Sequence, residues 1–247
     1  MRSKSTPWKR GTIEAAIYLF LILLALIFVY PIFLMIITSF KTTREIFFDP
    51  FGLPKTWSFD TFAQVWRKAH FNTYFLNSVT VTLASTALVL TCSSLAAYAL
   101  SRYRFKLNTF CYIFFLAGIM IPIRLGILPL FLLMRDLRLL NSHWSLILTY
   151  AATGMPMSVF LLTGFFKTIP KDLEYSARID GCSDIQIFYR IMLPLVRPGL
   201  ATVTIVNFVP WWNDFFFPLL FIQSDNLKTI PLGMTIFFGQ YMTDWGL

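Results

Sequence analysis

Arg124 and Asp214 are ionisable residues inside long apolar runs of the chain. Each stands ten residues before the polar end of its run. A helix that rises ~1.5 Å per residue would place both ~15 Å below one face of a bilayer. A charge at that depth costs ~2.5–3.5 kcal/mol on insertion scales, so it must meet water or an opposite charge. Two interpretations stay open: an ion pair that fixes two helices, or a wet cavity that one or both residues line.

The residues directly before Asp214 could make such a cavity selective. Trp211 and Trp212 offer flat aromatic faces, and Asn213 offers an amide that both donates and accepts hydrogen bonds. Together these groups suit a solute that is rich in hydroxyl groups. The candidate pathway residues are Arg124, Trp211, Trp212, Asn213 and Asp214.

Residue patterns that support catalysis or metal binding are missing from the sequence. There is no Gly-x4-Gly-Lys-Ser/Thr loop to hold ATP phosphates and no His-Glu-x-x-His helix. The two histidines and three cysteines lack the spacing of metal ligands. We expect no catalytic residue, no metal site and no cofactor bound by this chain, so any ATP must be hydrolysed on another chain.

Residues 169–200 form the one long polar segment in the second half of the chain. Pro170 suits a first helical turn, and Asp172 and Glu174 place negative charge at the positive end of the helix dipole. Gly181 predicts the end of this helix, because glycine takes the left-handed C-cap conformation at no steric cost. The pattern predicts a short helix followed by a sharp bend.

A second helix is predicted after the bend. Ser183 and Gln186 have the spacing of a capping box, and Pro194 is expected to close the helix. The whole segment therefore resembles a bent helical hairpin that could dock another protein. Its expected docking face, on the first helix, consists of Leu173, Ser176, Ala177 and Asp180. Its apolar positions on the second helix, expected to share one side, are Ile185, Phe188, Tyr189 and Met192.

The same segment resembles the signature of the permease subunits of bacterial ATP-binding-cassette (ABC) importers. That signature is Glu-x-Ala-Ala, then Asp-Gly, then Ile-x-Leu-Pro, with nine residues between the glycine and the isoleucine. Ser176 and Cys182 stand where the family usually has alanine, and both are small. The matching residues are Glu174, Ser176, Ala177, Asp180, Gly181, Ile191, Leu193 and Pro194.

The resemblance implies a type I ABC importer transmembrane domain with a cytoplasmic coupling loop at 167–198. It implies four kinds of partner: a second permease subunit, an ABC ATPase dimer that binds ATP and Mg, a periplasmic or lipid-anchored solute-binding protein, and the lipid bilayer. Glu174 would be an exposed acid that contacts the ATPase. The resemblance extends to residue 218 and is nearest to the carbohydrate branch related to the smaller permease of the maltose transporter, so the implied solute is a sugar, oligosaccharide or polyol.

Composition agrees with a membrane protein. Hydrophobic residues make up 57% of the chain and charged residues 13%, which is too apolar for an ordinary soluble domain. The net charge of +9 is spread over short loops and forms no basic stripe beside stacking aromatics, so we expect no nucleic acid partner. The cysteines are expected to be free thiols.

Charge-free windows predict an all-α, polytopic helical bundle with five spans, and the resemblance implies a sixth span beyond the given C-terminus. The third span contains Pro122 and Pro129, which predict a kink or break. Residues 1–12 carry four basic residues and no acid, so the N-terminus is predicted to lie in the cytoplasm of a bacterial cell, with the chain in the inner membrane. Residues 13–247 would form a single transmembrane domain. The predicted spans are 15–40, 71–101, 107–134, a window within 139–166, and 199–222.

Alternatives of three kinds remain at this point. An ABC permease for glycerol phosphate or a related solute has the same architecture. An ion-driven secondary transporter would need no ATPase, but the sequence contains no inverted repeat and has a predicted docking loop. A scaffold without a pathway is disfavoured by the polar residues within spans.

Overall fold

The computed structural model describes residues 7–57, 59, 66 and 70–237, and within these ranges the secondary structure is helical without strands. The backbone forms two compact units, residues 1–69 with 236–247, and residues 70–235. In the described part, three helices are long and apolar enough to cross a membrane, or up to five if each of two bent helix pairs is one span. This confirms the predicted all-α membrane bundle.

In the first unit, α1 spans Pro7–Thr38 and is followed by the short helix α2, Thr43–Phe48. A capping box between Thr42 and Glu45 starts α2. Lys41 is buried, and its ammonium group donates to the carbonyl oxygen of Asp49 at 2.7 Å, which satisfies the end of that helix. The part of the loop after the first predicted span that the structure describes, residues 41–57, therefore contains a folded turn of helix.

The second unit is built on two long helices that pack along each other, α3 at Phe71–Arg102 and α6 at His143–Thr168. Their shared interface is lined by small side chains, as predicted for the second span. Small residues allow helix backbones to approach closely in a membrane. The buried hydroxyl residues are Ser78, Thr82, Ser85, Thr86, Ser93 and Ser94 on α3, and Ser145, Thr149, Ser158 and Thr163 on α6.

The third predicted span is broken. Helix α4, Asn108–Met120, and helix α5, Ile127–Asp136, are joined by a 3-10 turn at Ile123–Gly126, and the two halves meet at 89°. Pro122 precedes the turn and cannot donate a backbone hydrogen bond. The predicted kink is confirmed, and Arg124 lies in the turn itself.

The predicted fifth span at 199–222 is wrong in its extent, because helix α9, Arg197–Trp212, ends ten residues earlier. The amide of Asn213 donates to the carbonyl oxygen of Val209 at 2.8 Å and so competes with the helical pattern. A new helix, α10, then spans Phe216–Phe221. The remaining helices of this unit are α7 at Asp172–Ile179, α8 at Asp184–Leu195 and α11 at Ile230–Gly233.

Residues 222–230 are held against the beginnings of α3 and α6. The side chain of Asn141 accepts from the backbone N–H groups of Gln223 and Ser224, at 3.1 and 2.8 Å. On α3, the amide of Asn77 donates to the carbonyl oxygens of residues 226 and 228. This end of the second unit is opposite the α7–α8 hairpin, and the location of the segment outside the membrane stays a prediction. Residues 238–247 lie outside the described part.

Candidate functional site

The bend between α7 and α8 forms as the sequence predicts. Gly181 has a φ of 81°, in the left-handed region, and the N–H of Cys182 donates to the carbonyl oxygen of Ala177 at 2.9 Å. This is the 6→1 bond of a glycine C-cap. The capping box of Ser183 and Gln186 is also present, with both reciprocal hydrogen bonds. The hairpin is thus a defined local structure.

The inner face of the hairpin packs on the bundle. Ala177, Ile187, Phe188 and Met192 are buried in a cluster that includes Tyr98 of α3. Ala177 was predicted to lie on the docking face, and that part of the prediction is wrong because its side chain faces this core. Of the other predicted residues, Ile191 and Leu193 are partly buried against the same cluster, while Ser176 and Asp180 are exposed.

The register of α8 also differs from the prediction. Residues Phe188–Met192 form a π turn, in which the N–H of Leu193 donates to the carbonyl oxygen of Phe188. Ile185 and Tyr189 lie on the outside, at 72% and 55% exposure, whereas Phe188 and Met192 are buried, so the four predicted positions do not share one side. Pro194 was predicted to close the helix, but α8 continues for one more residue to Leu195, and the 72° break falls at Val196.

The outer face of the hairpin is apolar. The exposed hydrophobic residues on it are Leu173, Tyr175, Ile179, Ile185 and Tyr189. Ile179 is 86% exposed, although Ala177 in the same helix is buried. Large apolar side chains that are exposed in a polar loop favour an interaction surface. We call these five residues the outer hairpin face.

Glu174 does not lie on this face. It was predicted to be an exposed acid, but it is buried and forms an ion pair with Arg102 at the end of α3, with Nε to Oε1 at 2.7 Å. A second guanidinium nitrogen, Nη2 of Arg102, donates to the carbonyl oxygen of Ile169 at 2.8 Å. The ion pair was not predicted from the sequence. Arg102 indicated only the orientation in the membrane there, since a single basic residue at a helix end does not reveal its partner.

The candidate pathway residues are only partly brought together. Asp214 accepts a hydrogen bond from the hydroxyl of Tyr150 at 2.7 Å and caps α10 by accepting from the N–H groups of Phe216 and Phe217, both at 3.2 Å. Trp211 stacks on the Tyr150 ring with centroids 5.6 Å apart. These contacts fix the turn between α9 and α10, and they occupy both side chains within the chain.

Arg124 and Asp214 do not form the ion pair that was one of the two interpretations. Arg124 is exposed in its 3-10 turn, and among the described residues its guanidinium has no carboxylate within ion-pair distance. Trp212 stacks on Phe208 with centroids 5.9 Å apart, and Asn213 is exposed. The interpretation in which Arg124, Trp212 and Asn213 meet a solute stays a prediction.

A cavity of about 730 Å³ opens beside the break between α4 and α5. Its walls are mostly apolar, and Thr149 and Thr153 of α6 contribute hydroxyl groups. The cavity borders Ile123, the neighbour of Arg124 in the turn. None of the five candidate pathway residues lines it in this conformation.

Comparison with known proteins accounts for this architecture. A family model described as "Binding-protein-dependent transport system inner membrane component" matches residues 89–244. The diacetylchitobiose uptake system permease protein NgcG of Streptomyces coelicolor is 38% identical over 224 residues, which cover 91% of this chain and 74% of that protein. The arabinooligosaccharides transport system permease protein AraQ of Halalkalibacterium halodurans is 35% identical over 228 residues, which cover 91% and 81%.

The fold also matches a solved structure. The crystal structure of a bacterial ABC transporter involved in the import of the acidic polysaccharide alginate contains a chain that superposes with a TM-score of 0.86 at 23% identity, covering 97% of this chain and 84% of that chain. At this identity the match establishes the fold. Together with the family match, it gives no support to the ion-driven alternative. The chain belongs to the binding-protein-dependent transport system inner membrane component family and is a membrane-embedded permease subunit of an ABC importer.

Proposed function

We propose that this permease forms one half of the translocation pathway of an ATP-driven importer and that a second permease subunit forms the other half. An ABC ATPase dimer, which carries ATP and Mg, docks on the outer hairpin face. A solute-binding protein delivers the cargo from the other side. The observation that carries this proposal is the two-sided hairpin, anchored by buried residues on one side and apolar and exposed on the other.

The orientation follows from charge. The positively charged N-terminal segment lies in the cytoplasm, and the hairpin lies on the same side because an even number of spans separates them. The segment 222–230 lies outside. In this orientation the hairpin faces the cytoplasm, from which an ATPase would dock. The α10–α11 region faces the outside, from which a solute-binding protein would dock.

The solute is a sugar, oligosaccharide or polyol. The relatives named above carry names that specify diacetylchitobiose and arabinooligosaccharides, and both are rich in hydroxyl groups. Trp212 and Asn213 supply a stacking face and an amide that suit such a solute. Glycerol phosphate is the alternative, which Arg124 would favour through its positive charge.

Transport proceeds by alternating access. Closure of the ATPase dimer moves the hairpin, and the hairpin tilts the spans to which it is anchored. The break between α4 and α5 gives the third span a position at which its two halves can change their angle without strain elsewhere.

A purification of the tagged chain from its native membrane in mild detergent, followed by mass spectrometry, tests the proposal. We expect an ABC ATPase and a second permease to accompany the wild-type chain. Ile179→Asp with Ile185→Asp should lose the ATPase and keep the second permease, because both side chains lie on the outer hairpin face. Recovery of the wild-type chain alone, or with copies of itself, would contradict the proposal.

Leu137→Asp is the matched control for that experiment. Leu137 is an exposed leucine at the opposite end of the second unit, between α5 and α6. An added negative charge there should leave the ATPase bound. Loss of the ATPase in this variant as well would show a general loss of stability rather than a disrupted docking surface.

A further inference from the structure

Arg102 connects three elements of the second unit at the base of the hairpin. It stands in the last turn of α3, its Nη2 donates to the carbonyl oxygen of Ile169 just after α6, and its Nε faces the Glu174 carboxylate of α7. The carbonyl at the end of α6 has no helical partner of its own and needs a donor. One guanidinium therefore contacts a carbonyl at the end of α6 and a carboxylate on α7.

Burial shows that the contact is part of the packed structure. The Arg102 and Glu174 side chains are only 4% and 9% exposed, and the two charged atoms are 2.7 Å apart. The atoms are not aligned as a regular hydrogen bond, so the contact is an ion pair. Removal of either charge would leave the other buried without a counter-charge, which is strongly unfavourable. A surface pair on the same hairpin, Arg178 with Asp184, is about half exposed and differs in this respect.

The contact adds a connection that the chain itself does not provide. Helix α7 follows α6 after three residues, and α8 leads into α9, so the hairpin is covalently tied to the fourth and fifth spans. Helix α3 is distant in sequence and reaches the hairpin through side chains alone, including Tyr98 in the core and Arg102 at its edge. The ion pair is the charged part of that connection.

Other charged side chains lie near the pair. A polar cavity of about 170 Å³ beside it is lined by Tyr103, Lys171, Tyr175 and Arg178 as well as the pair itself. Arg178 is already paired with Asp184. Lys171 is exposed and makes no ion pair among the described contacts, so it offers a matched neutralisation beside the site.

We infer that Arg102 is a positioning residue for coupling: through its ion pair with Glu174 it makes α3 move together with α7. The inference rests on the proposed function. If an ATPase does not accompany the wild-type chain, the proposed function fails, whereas the inference is tested only on complexes that contain the ATPase.

The test measures whether α3 and α7 move as one body. Spin labels are placed on native Cys92, which is exposed on α3, and on Asp172→Cys, which is exposed at the start of α7 and lies outside the outer hairpin face, in a background of Cys111→Ser and Cys182→Ser. Pulsed electron paramagnetic resonance gives the distance distribution in the purified complex, without nucleotide and with Mg-ATP and orthovanadate. For the otherwise wild-type chain we expect one narrow distribution that nucleotide does not shift.

Arg102→Gln and Glu174→Gln each remove one charge and keep most of the side-chain volume. Both should broaden the distribution or shift it when nucleotide is added, while the ATPase stays bound. Arg102→Lys, which keeps the charge, should restore the narrow distribution in part, and Lys171→Gln should behave like wild type. A purely structural role would alter yield without a nucleotide-dependent shift.

Two results would overturn the inference. One is a wild-type distance that itself shifts with nucleotide, since the pair would then separate during the cycle. The other is loss of the ATPase in Glu174→Gln together with an unchanged distance distribution in Arg102→Gln, which would assign Glu174 to the partner. If Arg102→Gln does not assemble, the Glu174→Gln and Arg102→Lys distributions decide the question.

Discussion

At the scale of single residues, the chain shows that an ionisable group in a span need not be a solute contact. Asp214 has one carboxylate oxygen facing the Tyr150 hydroxyl and both oxygens near backbone N–H groups at the start of α10. Arg124 has no such internal partner among the described carboxylates. The two residues look equivalent in sequence and have different roles in the fold.

This difference predicts that truncation of Asp214 lowers protein stability, whereas truncation of Arg124 changes solute transport. Asp214→Ala should lower the stability of the purified protein by about 1–3 kcal/mol, because the hydroxyl of buried Tyr150 and the cap of α10 lose their acceptor. Arg124→Ala should leave the melting temperature unchanged and instead alter solute range or affinity. Thermal unfolding in detergent and an uptake assay with labelled diacetylchitobiose and arabinooligosaccharides measure the two effects. Equal destabilisation by both variants would argue against this assignment.

Gly181 gives a prediction about backbone conformation. The site has open space around the missing Cβ, so only the φ of 81° resists a side chain. Gly181→Val should therefore cost about 1–2 kcal/mol through strain and impair assembly or coupling, measured as ATPase retention and uptake. Gly181→Asn should be tolerated better, because asparagine accepts this conformation. Gly126→Val is the control, since Gly126 also has open space but a φ of −90°.

Asp225, on the outer segment, gives a prediction about pH. The hydrogen bond from Lys228 holds the pKa of Asp225 below its ordinary value, and the Tyr74 hydroxyl adds to this by donating at 2.9 Å. A carboxyl with a lowered pKa in the folded state stabilises the fold above its unfolded pKa of about 3.9, and the contribution is lost as pH falls through the folded value.

The expected result is a melting temperature for wild type that exceeds that of Asp225→Asn at pH 7 and at pH 5. The difference should shrink towards pH 3. Asp136→Asn, a change to an exposed carboxylate in the same half of the unit, serves as a control for surface charge. A difference between wild type and Asp225→Asn that stays constant with pH would contradict the role given to this carboxyl.

At the scale of elements, close helix contacts set the geometry of the bundle. Gly154 of α6 lies where a Cβ would come within 2.6 Å of the Asn207 side chain and 2.7 Å of Trp211, both on α9. The amide of Asn207 donates to the hydroxyl of Ser158 at 3.0 Å across the same interface. The absence of a side chain at position 154 therefore allows α6 and α9 to reach hydrogen-bonding distance.

A matched pair of glycines on α6 tests this contact. Gly154→Val should push α9 away from α6 and destabilise the protein by about 1–3 kcal/mol through overpacking. Gly164→Val makes the same change in helix propensity on the same helix, but no neighbouring atom lies within 4 Å of the Cβ that it adds. Thermal unfolding should separate the two variants clearly, and equal melting temperatures would show that the close contact is unimportant.

At the scale of the whole molecule, the chain is a transmembrane subunit whose working surfaces depend on partners. Uptake in cells should therefore follow ATP and survive an ionophore that collapses ion gradients, if the chain couples to ATP hydrolysis on another subunit as proposed above. The measurement is uptake of the labelled oligosaccharides in cells treated with ionophore or depleted of ATP. Loss of uptake in ionophore-treated cells with a normal ATP concentration would support an ion-driven secondary transporter instead.

Local signals in the sequence predicted much of this structure. The capping box at Ser183, the left-handed Gly181 and the break at Pro122 depend on a few neighbouring residues, and all three are confirmed. The partners of Glu174 and Asp214 come from residues more than sixty positions away, so spacing within one segment could not reveal them. The π turn in α8 was missed for a related reason, since tertiary packing of Phe188 and Met192 sets its register.

The π turn at Phe188–Met192 has a consequence for insertions and deletions. It accommodates one residue more than an α-helix would over the same rise. Deletion of one residue there would let a regular α-helix span the same rise, so the helix on either side would keep its rotational phase. Asn207 would then keep its contact with Ser158, and Gly199 its place beside the Phe165 ring. The same deletion in the α-helical turn before Phe188 would instead rotate everything that follows by about 100°. The π turn is therefore the position in α8 at which the loss of one residue leaves the fifth span in place.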